Sequence, residues 1–333
     1  MLAAVSIISV GSQFVKKETE LYMGRYIIRR LLQLIFVVFG ISFILFTILS
    51  LTPGDPPTLI LGEAATAESI AAKRAELGLD DPFFVRYFSY LYNIFAHGDF
   101  GNSYRSGMPV FKEVFTRFPN TLKLALLTIT ISAVLGILFG VLSAVKQYTW
   151  IDNATLAFTL LITSVPSFWL GLMLIILFAV QLGWLPVSGG TDSIRGFILP
   201  AIAGSVGYMA NTIRQTRTSM LDVIHSDYIT MARAKGCNEK TVTFKHALRN
   251  ALLPVVTLIG INIGWQLGGT IIIEQVFTIS GIGTLMITSV RSKDIPVVLG
   301  CVTFVALLAS LINLATDILY AYIDPRVKSN YTK

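Results

Sequence analysis

Charged residues are scarce in this sequence. Only 14% of its 333 residues are Asp, Glu, Lys or Arg, whereas 54% are hydrophobic. Soluble globular chains carry about 25% charged residues, so this composition excludes an ordinary soluble domain and indicates an integral membrane protein. The net charge of +7 does not indicate a nucleic-acid-binding protein, because the basic residues lie between apolar runs, where membrane topology explains them.

Residues that carry enzyme or metal chemistry are also few. The two cysteines, Cys237 and Cys301, and the three histidines are dispersed along the chain, which supports neither a zinc site nor a disulfide framework. The dipeptide Gly-Lys does not occur, so the phosphate-binding loop G-x-x-x-x-G-K-[ST] is missing, and so is the G-x-S-x-G nucleophile motif. We therefore predict no catalytic, metal-binding or cofactor-binding residues.

Six runs without charged residues are long enough to cross a bilayer, which takes about 20 residues of helix. The predicted spans are Leu31–Gly54, Leu124–Val145, Asn153–Thr191, Gly196–Ile213, Asn250–Ile273 and Ile295–Thr316. The third is long enough for two spans, but its end, QLGWLPVSGG, is rich in turn residues, so we interpret it as one tilted helix that bends near Pro166. The predicted fold is an all-α integral membrane protein with six transmembrane helices.

The basic residues outside the spans predict the orientation. Sixteen Lys and Arg lie on the side that holds both termini, against three on the other side when the long loop after the first span is set aside. Both termini are therefore predicted to be cytoplasmic. The predicted parts are a cytoplasmic segment 1–30, a large extracytoplasmic loop 55–123, a core 124–316 with a cytoplasmic loop 214–249, and a cytoplasmic tail 317–333.

Two further segments have open interpretations. Met23, followed by GRYIIRRLL, would make an ordinary cytoplasmic start, so residues 1–22 are either an extension or an over-long start-site assignment. The loop 55–123 contains aromatic clusters and a surface-helix pattern from Thr66 to Gly78, which predicts a small helical cap. That cap either packs over the helix ends or contacts an external partner.

Carboxylates are missing from the interior of the predicted spans. Proton- and sodium-coupled carriers use such groups to bind the driving ion, so this pattern argues against a secondary carrier. The fifth span carries small and uncharged polar residues instead, as in GINIGWQLGGT. Asn262 and Gln266 share a helix face, where they either line a polar pathway or form hydrogen bonds between helices.

The predicted cytoplasmic loop contains two helix-favouring segments separated by a glycine. SDYITMARAK favours a helix, and Gly236 occupies the position of a left-handed C-terminal cap. Asn238 then caps a second helix that continues through KTVTFKHALRNALL. Ala232, Ala234 and Gly236 make the tip small, which suits a groove on a partner. On charge alone, such a basic loop is usually a topogenic, solvated or lipid-facing segment.

Short motifs in a fixed order carry a family resemblance. RAKG, which ends at Gly236, and the following KHALRNALLPVV resemble the coupling loop of ATP-binding-cassette (ABC) importer permeases, in the branch that handles dipeptides, oligopeptides and nickel. The general signature begins Glu-Ala-Ala, where this chain has Thr230, Met231 and Ala232, a deviation similar to that of the peptide and nickel branch. From Met23 onward the resemblance continues through MGRYIIRRLLQ, TPGDP, LGLDDP, GDFGNS, LGWLPVSG, GGTIIIEQVFTISGIG and YIDPR.

The resemblance implies a permease subunit of an ATP-driven importer for dipeptides or oligopeptides, with glutathione and nickel as alternatives. It implies a second permease around a shared alternating-access pathway, two cytoplasmic ATPases that bind the ATP, an extracytoplasmic binding protein, and a bacterial or archaeal cytoplasmic membrane. An ATP-independent secondary carrier is the alternative function. The residues expected to contact an ATPase are Tyr228, Ala232, Arg233, Ala234, Gly236 and Asn238.

Two charged side chains are open to alternative interpretations within this resemblance. Arg233 pairs either with acidic residues of an ATPase or with lipid phosphate. Glu274, grouped with Asn262 and Gln266 as a candidate pathway residue, either receives the amino group of a peptide near the outer mouth or stabilises helix packing.

Overall fold

The computed structural model describes residues 28, 32–33, 35–52, 54–62, 64–188 and 193–323. The predictions for residues 1–22 and for most of the tail lie outside these residues. Within the described part the secondary structure is helical, with no β-strand. The all-α prediction is therefore confirmed.

The helices follow one another in this order: α1 (Ile35–Leu51), α2 (Pro56–Leu61), α3 (Ala67–Glu76), α4 (Phe83–Tyr92), α5 (Val110–Val145), α6 (Trp150–Ser164), α7 (Ser167–Leu174), α8 (Arg195–Ile224), α9 (Asp227–Ala234), α10 (Glu239–Thr241), α11 (Leu248–Val276), α12 (Ile282–Arg291) and α13 (Ile295–Ile323). π-helical turns extend α4 over Asn93–His97 and α7 over Ile175–Gln181, and a third joins α10 to α11 over Val242–Ala247.

Several of these helices are long and apolar enough to cross a membrane. In the described part, α5, α8, α13 and the stretch Glu239–Gln266 meet that criterion, which makes four candidate spans. If the pair α6 and α7 counts as one span, the number of candidate spans rises to five. Helix α1 is also apolar, but it is shorter than these candidates. A multi-pass membrane protein is confirmed, while the count of six spans stays a prediction.

The third predicted span is broken into α6 and α7, which meet at 97°. Val165 is extended, with φ of −96° and ψ of 122°, as expected for a residue before proline, and Pro166 is the N-cap of α7. The bend near Pro166 is confirmed. The prediction of one tilted helix understates this bend. With a turn of 97°, the stretch is a broken span or a re-entrant segment.

The loop after α1 forms the predicted helical cap. Thr66 caps α3 by accepting a hydrogen bond from the Ser69 amide at 3.2 Å, and Gly78 follows the helix with φ of +63°. Tyr87 of α4 is buried against Phe46 of α1. The cap therefore packs on one end of the helical body, and α5 begins at Val110, well before the predicted start of the second span.

The centre of the body is the contact between α5 and α8. Gly136 and Gly140 of α5 face Thr212 and Thr216 of α8, and a Cβ at either glycine would lie 2.5 Å from the Cβ of the facing threonine. Because real Cβ atoms do not approach so closely, only glycine permits this helix separation.

Candidate functional site

The predicted helix–glycine–helix protrusion is present. We call its first helix and glycine turn, residues 226–238, the coupling segment, and the second helix begins at Glu239. α9 ends at Ala234, and Gly236 follows with φ of +82°, in the left-handed region. Nothing lies within 4 Å of a Cβ placed on Gly236, so a side chain would have room there. Glycine is favoured at this position because of its left-handed backbone conformation, and close packing is not the reason. Asn238 Oδ1 accepts a hydrogen bond from the Thr241 amide at 2.8 Å and so caps the next helix. The predicted caps at Gly236 and Asn238 are both confirmed.

One face of α9 attaches the coupling segment to the body. Ile229 is fully buried in a cluster that includes Met220 of α8. Tyr228 and Met231 are 44% and 59% exposed, and the Tyr228 hydroxyl accepts a hydrogen bond from Asn250 Nδ2 at 2.8 Å. The segment is therefore a ridge with a fixed base and an accessible tip.

The tip is small and carries one exposed ion pair. Ala234 and Gly236 are exposed, and Ala232 is half-buried. The Arg233 guanidinium donates from Nε to Glu239 Oε1 at 2.8 Å, so in this structure it is paired within its own chain. An exposed pair of this kind contributes about 1 kcal/mol or less, so an acidic group on a partner can compete for the guanidinium.

A buried ion pair lies behind the coupling segment. Arg217 of α8 donates from Nε and Nη2 to the two carboxylate oxygens of Asp152 in α6, both at 2.9 Å. The Asp152 carboxylate, only 2% exposed, also accepts from the Ser143 hydroxyl and from the Tyr148 amide. This pair ties the α5–α6 turn to α8, the helix that leads into the coupling segment.

The Asp152–Arg217 pair is missing from the sequence prediction, where Arg217 enters only as one of the basic residues that set the orientation. A signal was nevertheless present. Asp152 is a lone acid at the edge of a predicted span, and an acid in that position requires a basic or hydrogen-bonding partner. The sequence did not indicate which basic residue that partner would be.

Glu274 is fully buried near the end of α11. Its carboxylate accepts hydrogen bonds from Thr121 Oγ1 at 2.7 Å, from Thr270 Oγ1 at 3.1 Å and from the Thr284 amide at 3.0 Å. Thr284 belongs to the first turn of α12, whose free amides and helix dipole favour a negative charge. These contacts fit a role of Glu274 in helix packing, and its role in the pathway stays a prediction.

Glycines in the motif GGTIIIEQVFTISGIG make room for this carboxylate. A Cβ at Gly281 would lie 2.4 Å from the carboxylate carbon of Glu274. We expect Gly281→Ala to displace Glu274 and to destabilise the protein by about 1–3 kcal/mol, measured as a lower melting temperature of the purified protein in detergent.

Gly268→Ala is the matched control, because nothing lies within 4 Å of a Cβ at Gly268. We expect this variant to melt at or slightly above the native temperature, since alanine favours the helix. Equal melting temperatures for Gly281→Ala and Gly268→Ala would contradict the packing role of Glu274.

Asn262 and Gln266 are both buried, at 7% and 1% exposure. Gln266 lies beside Gly204 of α8, where a Cβ would be 3.6 Å from Gln266 Nε2. Its position between α11 and α8 fits a role in helix association. A lining role in a pathway shared with a second subunit stays a prediction for both residues.

Comparisons with known proteins agree with this architecture. Residues 136–329 match the family described as "Binding-protein-dependent transport system inner membrane component", and residues 23–125 match the N-terminal family of the same membrane component. Two crystal forms of the MetNI methionine ABC transporter in inward-facing conformations share the fold. Their TM-scores are 0.53 and 0.52 at 18% and 19% identity, over 64% of this chain and 96% and 97% of theirs.

Curated relatives are similar over nearly their whole length. The oligopeptide transport system permease protein AppB of Bacillus subtilis is 41% identical, over 92% of this chain and 100% of the relative. The dipeptide permease protein DppB of Alkalihalophilus pseudofirmus is 39% identical, with the same two coverages. The glutathione permease protein GsiC of Escherichia coli is 40% identical, over 92% of this chain and 99% of the relative.

Proposed function

Because the chain belongs to the binding-protein-dependent transport system inner membrane components, we propose that it is the permease subunit of an ATP-driven importer of short peptides. Family membership makes it a multi-pass membrane component of an ABC transporter and not an enzyme in its own right. Peptides are the proposed substrates because the relatives are named for oligopeptide, dipeptide and glutathione transport, and all three substrates are peptides.

The proposed assembly contains this chain, a second permease, two cytoplasmic ATPases and an extracytoplasmic binding protein. ATP is bound by the ATPases, so this chain needs no cofactor of its own. We propose six spans with both termini in the cytoplasm, counting α1 and the α6–α7 pair as spans. The excess of basic residues on the side of the termini supports this orientation.

The observation that carries the proposal is the coupling segment, a small exposed tip on a fixed base. α8 ends at Ile224, just before α9, and the helical path from Glu239 runs without a break into α11. When the ATPases close around ATP, a push on the segment therefore moves α8 and α11 together. The Asp152–Arg217 pair extends the movement to α6. The spans then rock as rigid groups between inward-open and outward-open arrangements.

The test is Gly236→Asp in the reconstituted transporter. Aspartate tolerates the left-handed conformation at a cost of about 1–2 kcal/mol, so the chain should still fold. A charged side chain at the tip should weaken docking, and we expect ATP hydrolysis stimulated by peptide and binding protein to fall at least about tenfold. Co-purification of the ATPases should fall in parallel.

Gly183→Asp is the matched control. Gly183 also has a left-handed φ, of +63°, with nothing within 4 Å of a Cβ, but it lies after α7 on the side predicted to be extracytoplasmic. We expect this variant to keep its ATPases and its stimulated hydrolysis. A native chain that purifies alone and transports peptide into vesicles without ATP would overturn the importer proposal in favour of a secondary carrier.

A further inference from the structure

A polar cleft of about 690 Å³ lies between the cap and the outer ends of α1 and α13. Its floor is apolar, made by Phe46, Ile295 and Leu299. Two motifs of the family resemblance meet across it: LGLDDP, after α3, lines one wall, and GDFGNS lines the other. The coupling mechanism uses neither motif.

The wall that contains GDFGNS is held in place by Asp294, which is 3% exposed. Its carboxylate accepts hydrogen bonds from the Ser103 hydroxyl, from the Tyr104 amide at 3.0 Å and from the Arg105 amide at 3.3 Å. The loop is further closed by the Val110 amide, which donates to the Gly101 carbonyl at 3.0 Å. A wall fixed in this way loses little conformational freedom when a ligand binds.

The cleft contains two arginines without a carboxylate partner. Neither Arg86 nor Arg105 forms an ion pair with any residue that the structure describes, and Arg86 lies 5.4 Å from the centre of the Phe46 ring. Nearby Arg74, by contrast, is bound to Asp55 at 2.7 Å and to Asp80 at 2.8 Å. The guanidiniums of Arg86 and Arg105 are therefore available to an external anion.

Two aspartates of the same cleft balance these charges. Asp81 belongs to LGLDDP and Asp99 to GDFGNS, and neither forms an ion pair among the described residues. Asp99 accepts a backbone hydrogen bond from the Gly101 amide at 2.8 Å. Lys73 and Glu76 also line the cleft but pair with each other at 2.7 Å. Apart from that pair, the cleft presents two positive groups, Arg86 and Arg105, and two negative groups, which matches a zwitterion better than a simple anion or cation.

We propose that this cleft binds a short peptide by its charged ends, with the terminal carboxylate on Arg86 and Arg105 and the terminal amino group on Asp81 and Asp99. Guanidinium groups bind carboxylates through paired, charge-assisted hydrogen bonds. The volume is within the range of small-ligand sites, about 300–1,000 Å³. The inference rests on the proposed peptide-import function and adds a peptide site on the permease itself, outside the spanning helices.

The test measures peptide binding without the binding protein. The complete permease–ATPase complex is placed in lipid nanodiscs, and equilibrium dialysis follows radiolabelled tri-alanine. We expect saturable binding that tri-alanine blocked at both ends does not displace. Arg86→Gln and Arg105→Gln should each weaken it at least about tenfold. Lys112→Gln, which changes an exposed basic residue of α5 outside the lining of the cleft, should leave it unchanged.

Arg86 packs on Phe46, so Arg86→Gln could lose binding through misfolding. Arg105 is exposed, so a loss of binding in Arg105→Gln reports on the cleft itself. Undetectable tri-alanine binding to the native complex overturns the inference, as does binding that both glutamine variants retain. If both variants lose affinity for the binding protein and the native complex binds no peptide, the cleft is a docking surface for that protein and the inference is wrong. Stimulated ATP hydrolysis in the native complex reports separately on the proposed function.

Discussion

Arg217→Met is expected to lower the stability of the protein by about 3–5 kcal/mol and to abolish stimulated ATP hydrolysis. The substitution leaves the carboxylate of Asp152 buried at 2% exposure, with hydrogen bonds only from Ser143 and Tyr148. A buried charge without its counter-charge costs far more than the net stabilisation of an intact pair. The readouts are the yield of folded protein in detergent, its melting temperature, and ATP hydrolysis in the reconstituted complex.

Arg214→Met is the matched control, one turn earlier on α8. The Arg214 guanidinium is exposed and donates to Asn211 Oδ1 at 2.6 Å. Losing that contact should change stability by about 0.5 kcal/mol or less. If Arg217→Met and Arg214→Met have the same melting temperature and the same rate of ATP hydrolysis, the Asp152–Arg217 pair does not hold α6 to α8.

A double variant separates stability from coupling at the same pair. Asp152→Asn combined with Arg217→Met removes both charges, so much of the lost stability should return. The tie between α6 and α8 is still absent, and we expect stimulated ATP hydrolysis to remain low. Full recovery of hydrolysis in the double variant would show that the pair is only structural.

Gly140→Val should prevent normal packing of α5 on α8. A Cβ at Gly140 would lie 2.5 Å from Thr216 Cβ and 2.9 Å from the Ile213 carbonyl oxygen, and the second of these is backbone that cannot rotate away. We expect a loss of about 3 kcal/mol or more, seen as little folded protein in the membrane and an early, broad melting transition.

Gly207→Val is the control for the helix propensity of valine. Gly207 also lies inside a helix, α8, but nothing is within 4 Å of its Cβ position. This variant should fold in normal yield with a melting temperature close to that of the native protein. Equal yields from Gly140→Val and Gly207→Val would mean that α5 and α8 do not approach as closely as described.

The coupling segment was predictable because its determinants are local. The left-handed conformation at Gly236 and the cap at Asn238 each depend on a few neighbouring residues, and both types of residue have strong conformational preferences. The bend at Pro166 follows from the same kind of rule. Its angle of 97° does not, because the angle depends on what α7 packs against.

The same local rules could not predict contacts between residues that are far apart in the chain. Thr121, which donates to Glu274, lies 153 residues away in the chain, so the sequence left both helix packing and substrate contact open for Glu274. Asp152 and Arg217 are 65 residues apart, and no local pattern distinguishes Arg217 from the other basic residues of α8.

By itself the sequence determined that this chain is an all-α membrane protein of the ABC importer permeases, and it located the coupling segment. Hydropathy and turn chemistry suffice for the membrane helices and for the coupling segment, because they act within a few residues. The importer family followed from the order of short motifs along the chain. Only the tertiary structure decided that Glu274 accepts a hydrogen bond from the first turn of α12, that Asp152 pairs with Arg217, and that LGLDDP and GDFGNS face each other across one cleft. Each of these contacts depends on which helix faces pack together, and that choice is made by the whole fold.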